Sequence, residues 1–439
     1  MPELRFTRTY STSDQRRYFT LPFDVPQGMD KIELSYDYPR FEEKVMIEGT
    51  ARIETNIIDL GLYDEAGDLR GWSGSQRTKV VVSEADATPG YKRGPLRSGH
   101  WAVALGVYRV ESSVTVEVVV RLIPKSRILL VGDLHMHTVN SDGDYSTTEV
   151  IEYCRRAGLD FVALTDHNNT EQNREIGNPS GITVIPGMEY TNYRGHANFY
   201  FRGGRTALDV NPLSNTYGEM TEVFRKAKET GTLISLNHPH CDVCPWEFGF
   251  EGLPYDMVEL WNGPMKASDL RSVAWWHGRL SAGAKLPGVG GSDTHRIEPN
   301  RSYGCPSTFV HTESRSPEDI LDALLAGRSF ITASPIGPRL DLRVGDAGLG
   351  DEAAFRRRLE GTATVEEART GDILVLLDGA GGRTEWRVPF SGIFRTSFPA
   401  GTLEARFYRL ELYRDRLDVP TLTALTNPVY LSQGGWGTV

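Results

Sequence analysis

Cysteine is scarce in this chain: four residues in 439, Cys154, Cys241, Cys244 and Cys305. So few, so scattered, exclude a disulfide-stapled scaffold. Long apolar runs are missing as well, and none approaches the ~18 residues of a membrane-spanning helix. The opening MPELRFTRTY has no apolar stretch of the signal-peptide kind. Basic charge is in deficit, with 48 Lys and Arg against 58 Asp and Glu and a net charge of −10. A polyanion is repelled by that balance, so nucleic acid is not an expected partner. These absences predict a cytoplasmic protein without membrane association, acting on a small molecule; a homo-oligomer is compatible with them. The remainder is ordinary globular material, 39% hydrophobic and 24% charged, which excludes disorder. At about 150 residues per domain, two or three domains fit the length.

The hydropathy rhythm divides the chain in three. Residues 1–125 alternate apolar and polar in short runs such as KIELSYDY, WAVALGVYRV and VTVEVVVRL, separated by Gly, Pro and Asp clusters. That pattern predicts an all-β sandwich. Trp72, Trp101 and Tyr108 could line a ligand face there, although aromatic residues of such a domain more often fill its core. Residues 126–335 alternate strand-like and helical segments, which predicts a parallel α/β barrel. The helix STTEVIEYCRRAGL opens on a capping box, Ser146 with Glu149. Residues 336–439 return to β alternation, and a third, smaller β domain is expected there.

In the middle segment the polar residues fall at the ends of the predicted strands, where an α/β barrel builds its site. Asp133, His135 and His137 close the first strand, Asp166 and His167 the second, and Glu189 the third. His196 opens the fourth, His238 and His240 end the fifth, Glu259 and Asn262 the sixth, and Asp293 and His295 the seventh. Seven of the ten histidines thus sit at strand ends. Residues two apart leave a strand from one face, so His135 with His137, His238 with His240 and Asp293 with His295 can each share a cation. One such pair is cheap to find by chance; three, with Glu189, predict a metal centre. The donors exceed the needs of one ion, so two or three divalent ions are expected, and mixed imidazole and carboxylate donors suit Zn, Mn or Fe.

The stretch DLHMHTVNSDGDYSTTEVIEYCRRAGLDFVALTDHNNT resembles the opening of PHP-domain proteins (polymerase and histidinol phosphatase). The later GMEYT, GHANFYF, NHP, VELWNG and GGSDTH resemble the CehA/McbA-like metallohydrolase branch of that superfamily, and LTNPVY near the carboxyl end does so more faintly. The resemblance spans about residues 128–335 and implies a distorted seven-stranded (β/α) PHP barrel, flanked by the two β domains. It implies that His135, His137, Glu189 and Asp293 hold a first ion, with Glu189 bridging. His167, His295 and Asp142 of the SDG turn hold a second, and His196 and His238 complete a third. Some trinuclear members carry a histidine just after the position of Asp142, where this chain has Gly143.

Such a centre implies hydrolysis by a metal-bridging hydroxide, with the ions polarising a phosphoryl or carbonyl oxygen. Asp166 is expected to orient a ligating imidazole, and His240 to serve as general acid for the leaving group. Arg194, Arg296 and Arg301 flank ligand positions and are candidates to hold a phosphate, with Asn262 shaping the pocket. Cys241 and Cys244 form a lone CxxC, read as two small residues in a turn before Pro245 and Trp246. The leading expectation is a metal-dependent phosphoesterase for a small phosphomonoester or phosphodiester. A carbamate, aryl-ester or amide hydrolase is the first alternative, since the eponymous members of the branch are regarded as carbamate hydrolases. Trp246, Phe248, Phe250, Trp261, Trp275 and Trp276 could then supply apolar walls. A non-catalytic binding protein with a degenerate barrel is the second alternative.

Overall fold

The computed structural model describes residues 3–432 apart from 47, 48, 85, 126, 178, 210, 212, 215, 355–358, 402 and 403. The chain divides into two compact units, Met1–Arg127 and Ile128–Val439.

The first unit holds β1 (Glu3–Ser11), β2 (Arg17–Val25), β3 (Met29–Asp37), β4 (Phe41–Met46), β5 (Gly49–Glu54), β6 (Ile57–Tyr63), β7 (Leu69–Ser73), β8 (Lys79–Ser83), β9 (Gly99–Arg109) and β10 (Ser113–Pro124). They form two four-stranded antiparallel sheets, in the orders β1-β10-β3-β8 and β2-β9-β6-β7, beside the hairpin β4-β5. In β10, Val114, Val116, Val118 and Val120 are buried while Thr115 and Glu117 are exposed, the two-residue period of a strand with one wet face. These valines meet Val103, Leu105 and Val107 of β9 in one core shared by both sheets. Trp101 is buried in that core, and Tyr108 is exposed.

The second unit begins with β11 (Ile128–Asp133), α1 (Thr147–Arg156), β12 (Phe161–Leu164), α2 (Gln172–Glu175), β13 (Thr183–Asn192), β14 (Gly195–Tyr200), α3 (Tyr217–Glu229), β15 (Leu233–Leu236), β16 (Met257–Asn262), α4 (Ala267–Ser281) and β17 (Gly288–Gly291). These seven strands neighbour one another in chain order. β12, β15, β16 and β17 are buried along their whole length, as continuous apolar runs covered on both faces must be. The capping box of α1 is present: the Ser146 hydroxyl accepts from the Glu149 N–H, and the Ser146 N–H donates to Glu149 Oε2 at 2.9 Å.

Not every strand of the set is parallel. β14 runs antiparallel to both β13 and β15, because only Tyr193 and Arg194 join it to β13. A two-residue link makes a hairpin, whereas a parallel partner needs a crossover of a dozen residues or more. Beyond the last strand the chain turns back onto the first: the Asp293 N–H donates to the His135 carbonyl at 2.8 Å and the His137 N–H to the Thr294 carbonyl at 3.1 Å.

On its other side β11 pairs antiparallel with β18 (Ser307–Thr312), which is followed by α5 (Pro317–Leu325) and β19 (Ser329–Thr332). The remaining strands are β20 (Arg339–Val344), β21 (Glu352–Ala354), β22 (Leu359–Ala368), β23 (Ile373–Asp378), β24 (Arg383–Arg387), β25 (Gly392–Ala400), β26 (Phe407–Arg416), β27 (Val419–Thr426) and β28 (Val429–Ser432). Where the sequence reading sets a boundary at residue 335, the structure runs one sheet through it: β19 pairs with β27, and the order continues β27-β26-β23-β24. The edge of β19 has backbone donors and acceptors to satisfy, and β27 satisfies them. Hydrophobic period reports that a strand exists and is silent about its partner.

Candidate metal centre

The strand ends of β11 to β17 bring their polar side chains to one buried place. Glu189, in β13 and 1% exposed, is at its middle. Its Oε1 lies 3.2 Å from His135 Nε2, 3.3 Å from His196 Nδ1 and 3.7 Å from His238 Nε2. Its Oε2 lies 2.8 Å from His167 Nδ1 and 3.6 Å from His137 Nε2. Asp293 Oδ1 is 3.5 Å from His135 Nε2 and 3.2 Å from His137 Nε2. Asp142 Oδ1 reaches His295 Nε2 at 3.2 Å and His167 Nε2 at 3.6 Å.

Three sets of donors result, each with its ligand atoms within 4.8 Å of one another: His135, His137 and Asp293; His137, Asp142, His167 and His295; His196, His238 and Cys244. Every metal-ligand candidate named from the sequence is therefore in one of the sets or, as Glu189, beside all of them. His137 joins a second set, and Cys244 joins the third.

The residues fit divalent cations. His135 Nε2 and both ring nitrogens of His137 are buried and make no hydrogen bond, although the two Nε2 atoms lie close to carboxylates. A buried polar atom left unpaired costs roughly 1–3 kcal/mol, and several of them aimed at one another suit a cation between them. Burial by itself raises the Glu189 and Asp293 carboxyls, but the surrounding histidines, His135 foremost, hold both well below the usual carboxylate range. Both carboxylates are thus ionised, as ligands must be. Burial drives His137 below the ordinary imidazole value, toward the neutral ligating form. His135 and His238 are held well above that value against their burial, by Glu189 and Glu259 for His135, and by Cys244, Glu189 and Glu259 for His238. A cation displaces those protons on binding.

Glu259, at the end of β16, orients the ligands. Its Oε1 pairs with His135 Nδ1 at 3.0 Å, which leaves Nε2 for the centre, and its Oε2 accepts from the His238 N–H at 2.9 Å. Asn237 Nδ2 donates to Glu189 Oε1 at 2.7 Å and fixes the carboxylate's rotation. Asp133 ties three segments together, accepting from the N–H groups of His135, Ser292 and Gly304; burial pushes its carboxyl up to about 6. His238 and Asp293 have φ of +28° and +50°, a region that non-glycine residues seldom enter and that collects at functional sites. Gly291 is required for closeness: a Cβ there would be 2.5 Å from His135 Cβ and 2.9 Å from Glu259 Oε1. Gly143 is packed in the same way, its Cβ position 2.6 Å from the His137 carbonyl oxygen, so a histidine does not fit there without a shift of the loop.

Several expected roles differ in the structure. Among the described residues the Asp166 carboxylate has no hydrogen bond to an imidazole; it accepts from Thr138 N–H at 2.8 Å, Thr138 Oγ1 at 2.9 Å and Ser141 Oγ at 2.6 Å, and so fixes the loop between His137 and Asp142. The imidazole-orienting part falls to Glu259, which is on the strand facing His135. His240 lies outside the three sets, its Nδ1 3.2 Å from Ser272 Oγ and its ring against Phe250 and Trp275. Burial, then Arg271, lowers its pKa, which favours the neutral ring and not the protonated form a resting acid needs. Arg194 is exposed, 3.5 Å from Glu247 and stacked over Phe248. Arg301 is brought to the centre, donating to the Asp293 carbonyl at 2.7 Å, and Arg296 is 3.8 Å from Asp144 beside it. Asn262 is buried and donates to Glu259 Oε2 at 3.1 Å and Asp293 Oδ2 at 3.3 Å, so it braces two carboxylates. Of the aromatic residues considered as walls, Trp246, Phe248, Trp261 and Trp276 are buried, and Phe250 and Trp275 are partly exposed.

Residues 133–239 match the model of the family described as the PHP domain. The matched segment is about a quarter of the chain. It contains His135, His137, Asp142, His167, Glu189, His196 and His238, while Asp293 and His295 follow it. The chain is 33% identical over 67 residues to a phosphoribosyl 1,2-cyclic phosphate 1,2-diphosphodiesterase of Eggerthella lenta, covering 15% of this chain and 26% of that protein. It therefore spans about a quarter of the length of that relative. An uncharacterised protein of Methanocaldococcus jannaschii is 23% identical over 158 residues, 32% of this chain and 87% of that one. Among solved structures, a two-domain protein of Bacteroides vulgatus, described as containing a predicted PHP-like metal-dependent phosphoesterase, is 20% identical. It matches with a TM-score of 0.42 over 69% of this chain and 96% of that one. Among the described residues, no helix is long and apolar enough to cross a membrane.

Proposed function

We propose that this protein is a metal-dependent phosphoesterase acting on a small phosphomonoester or phosphodiester. The observation that carries the reading is the set of eight histidine and carboxylate donors gathered around a buried Glu189 at the strand ends. Those strands, β11 to β17, form in this reading the distorted PHP barrel, and GMEYT, VELWNG and GGSDTH favour the CehA/McbA-like branch. Two or three divalent ions, Zn, Mn or Fe, would occupy the centre. His135, His137, Glu189 and Asp293 would hold the first, His167, His295 and Asp142 the second, and His196 and His238 the third. When bound, they supply Lewis-acid polarisation and activation of water.

The chain's own residues do the rest. Glu189 keeps the donor sets together, and Glu259, Asn237 and Asn262 hold the ligands in register. Arg301 spends one N–H on the Asp293 carbonyl and offers its others, with Arg296, to a phosphate oxygen. The diphosphodiesterase relative supports phosphoester chemistry. A carboxyl-type hydrolase, cleaving a carbamate, aryl ester or amide, is the second reading; Phe250 and Trp275, 4.3 Å apart between ring centres, offer an apolar wall for an aromatic group.

Elemental analysis of the purified full-length chain, followed by turnover of p-nitrophenyl phosphates and p-nitrophenyl esters with the metal found, tests both. Two to three equivalents of metal with phosphoester turnover are expected. Esterase turnover without phosphatase activity favours the second reading, and a chain that takes up no metal on reconstitution favours a non-catalytic binding protein.

A further inference from the structure

Cys244 is six residues beyond His238, yet the chain brings it back. The Cys241 N–H donates to the His238 carbonyl at 2.9 Å and the Trp246 N–H to the Pro239 carbonyl at 3.0 Å, which closes the turn after β15. Cys244 Sγ then lies 3.7 Å from His238 Nδ1, and its donor atom is within 4.8 Å of those of His196 and His238. Two ligands of one tetrahedral zinc, with bonds of about 2.0–2.1 Å to nitrogen and about 2.3 Å to sulfur, stand roughly 3.6 Å apart. The thiol is free, and its neighbour Cys241 Sγ is 3.4 Å away without belonging to the set.

We infer that Cys244 is a thiolate ligand of the His196–His238 position and makes it the zinc-selective site of the centre. The inference rests on the metal-centre reading above. The two other sets hold only imidazole and carboxylate donors, which hard and borderline ions share, whereas a sulfur donor favours zinc over manganese or magnesium. The centre is therefore unequal by construction: one position with a soft donor and two without.

The test is cobalt substitution of the full-length protein. Wild-type protein loaded with Co²⁺ is expected to show the near-ultraviolet charge-transfer band of a thiolate–cobalt bond beside the visible bands of bound cobalt. Cys244→Ser removes that band, releases about one equivalent of metal and weakens zinc binding by at least about tenfold with manganese binding unchanged. Cys241→Ser keeps the band, and circular dichroism reports that both variants fold. Visible cobalt bands with no charge-transfer band in the wild type overturn the inference and leave the metal centre standing. Survival of the band in Cys244→Ser, or its loss in Cys241→Ser alone, overturns it too. No cobalt uptake by any form overturns both the inference and the metal-centre reading.

Discussion

Glu259 serves two ligands with one carboxylate, through His135 Nδ1 and the His238 backbone N–H. Removing its charge while keeping its shape separates orientation from ligation. Glu259→Gln is expected to lower metal affinity by about 10–100-fold, measured by competition with a chelator, while leaving the fold intact. His240 poses a different question, because its ring packs on Phe250 and Trp275 and its hydrogen bond goes to Ser272. A general acid contributes about 10²–10⁴-fold. His240→Ala is expected to keep its metal and to lose less than about tenfold in kcat; a loss of that larger size would restore the ring to proton transfer.

Among the elements, α4 carries an ionisable group at its start. Asp269 accepts from the Lys266 N–H at 2.8 Å and the Asn262 N–H at 3.3 Å, so it ties the helix to the end of β16. Burial, reinforced by Glu259, pushes its carboxyl from 3.8 up to about 6. A carboxyl raised in the folded state binds its proton more tightly there than in the unfolded chain. Its contribution is greatest below about pH 4 and is lost as pH rises through about 6. Asp269→Asn cannot titrate. Compared with that variant, the wild type should lose stability between those two pH values, by of order 3 kcal/mol, as urea unfolding at each pH will show. No change across the window would mean that the carboxyl is not buried as described.

For the molecule as a whole, the second unit is joined across residue 335 by more than sheet pairing. Asn427, buried between β27 and β28, accepts from the Gly288 N–H at 2.8 Å and donates to the Gly288 carbonyl at 2.8 Å and to Ser329 Oγ at 2.8 Å. One side chain thus holds the first residue of β17 and of β19. The LTNPVY segment owes its asparagine to this contact. Asn427→Ala leaves buried backbone groups unpaired and is expected to destabilise the chain by about 3 kcal/mol, read from denaturant midpoints. A chain ending at residue 335 is expected not to fold, because β19 then loses β27 and the first residues of β17 and β19 lose Asn427.

Much of this was legible in the residues alone. The polar strand ends, the single Glu189 and the order of motifs pointed to the residues that the three sets gather. Of the three i, i+2 pairs, however, only His135 with His137 falls within one set, since Asp293 and His295 part between two sets and His240 stands outside them. The capping box of α1 was readable because its partners are three residues apart. What sequence could not settle depends on contacts between distant segments. Glu259 meets His135 across 124 residues, Asn427 meets Gly288 across 139, and Asp166 meets the loop at Thr138 and not an imidazole. Cys244 is close in sequence to His238, but only the turn after β15 decides that its sulfur faces the histidines and not solvent. Local spacing determines which groups can act together; the packing of remote strands decides which ones meet.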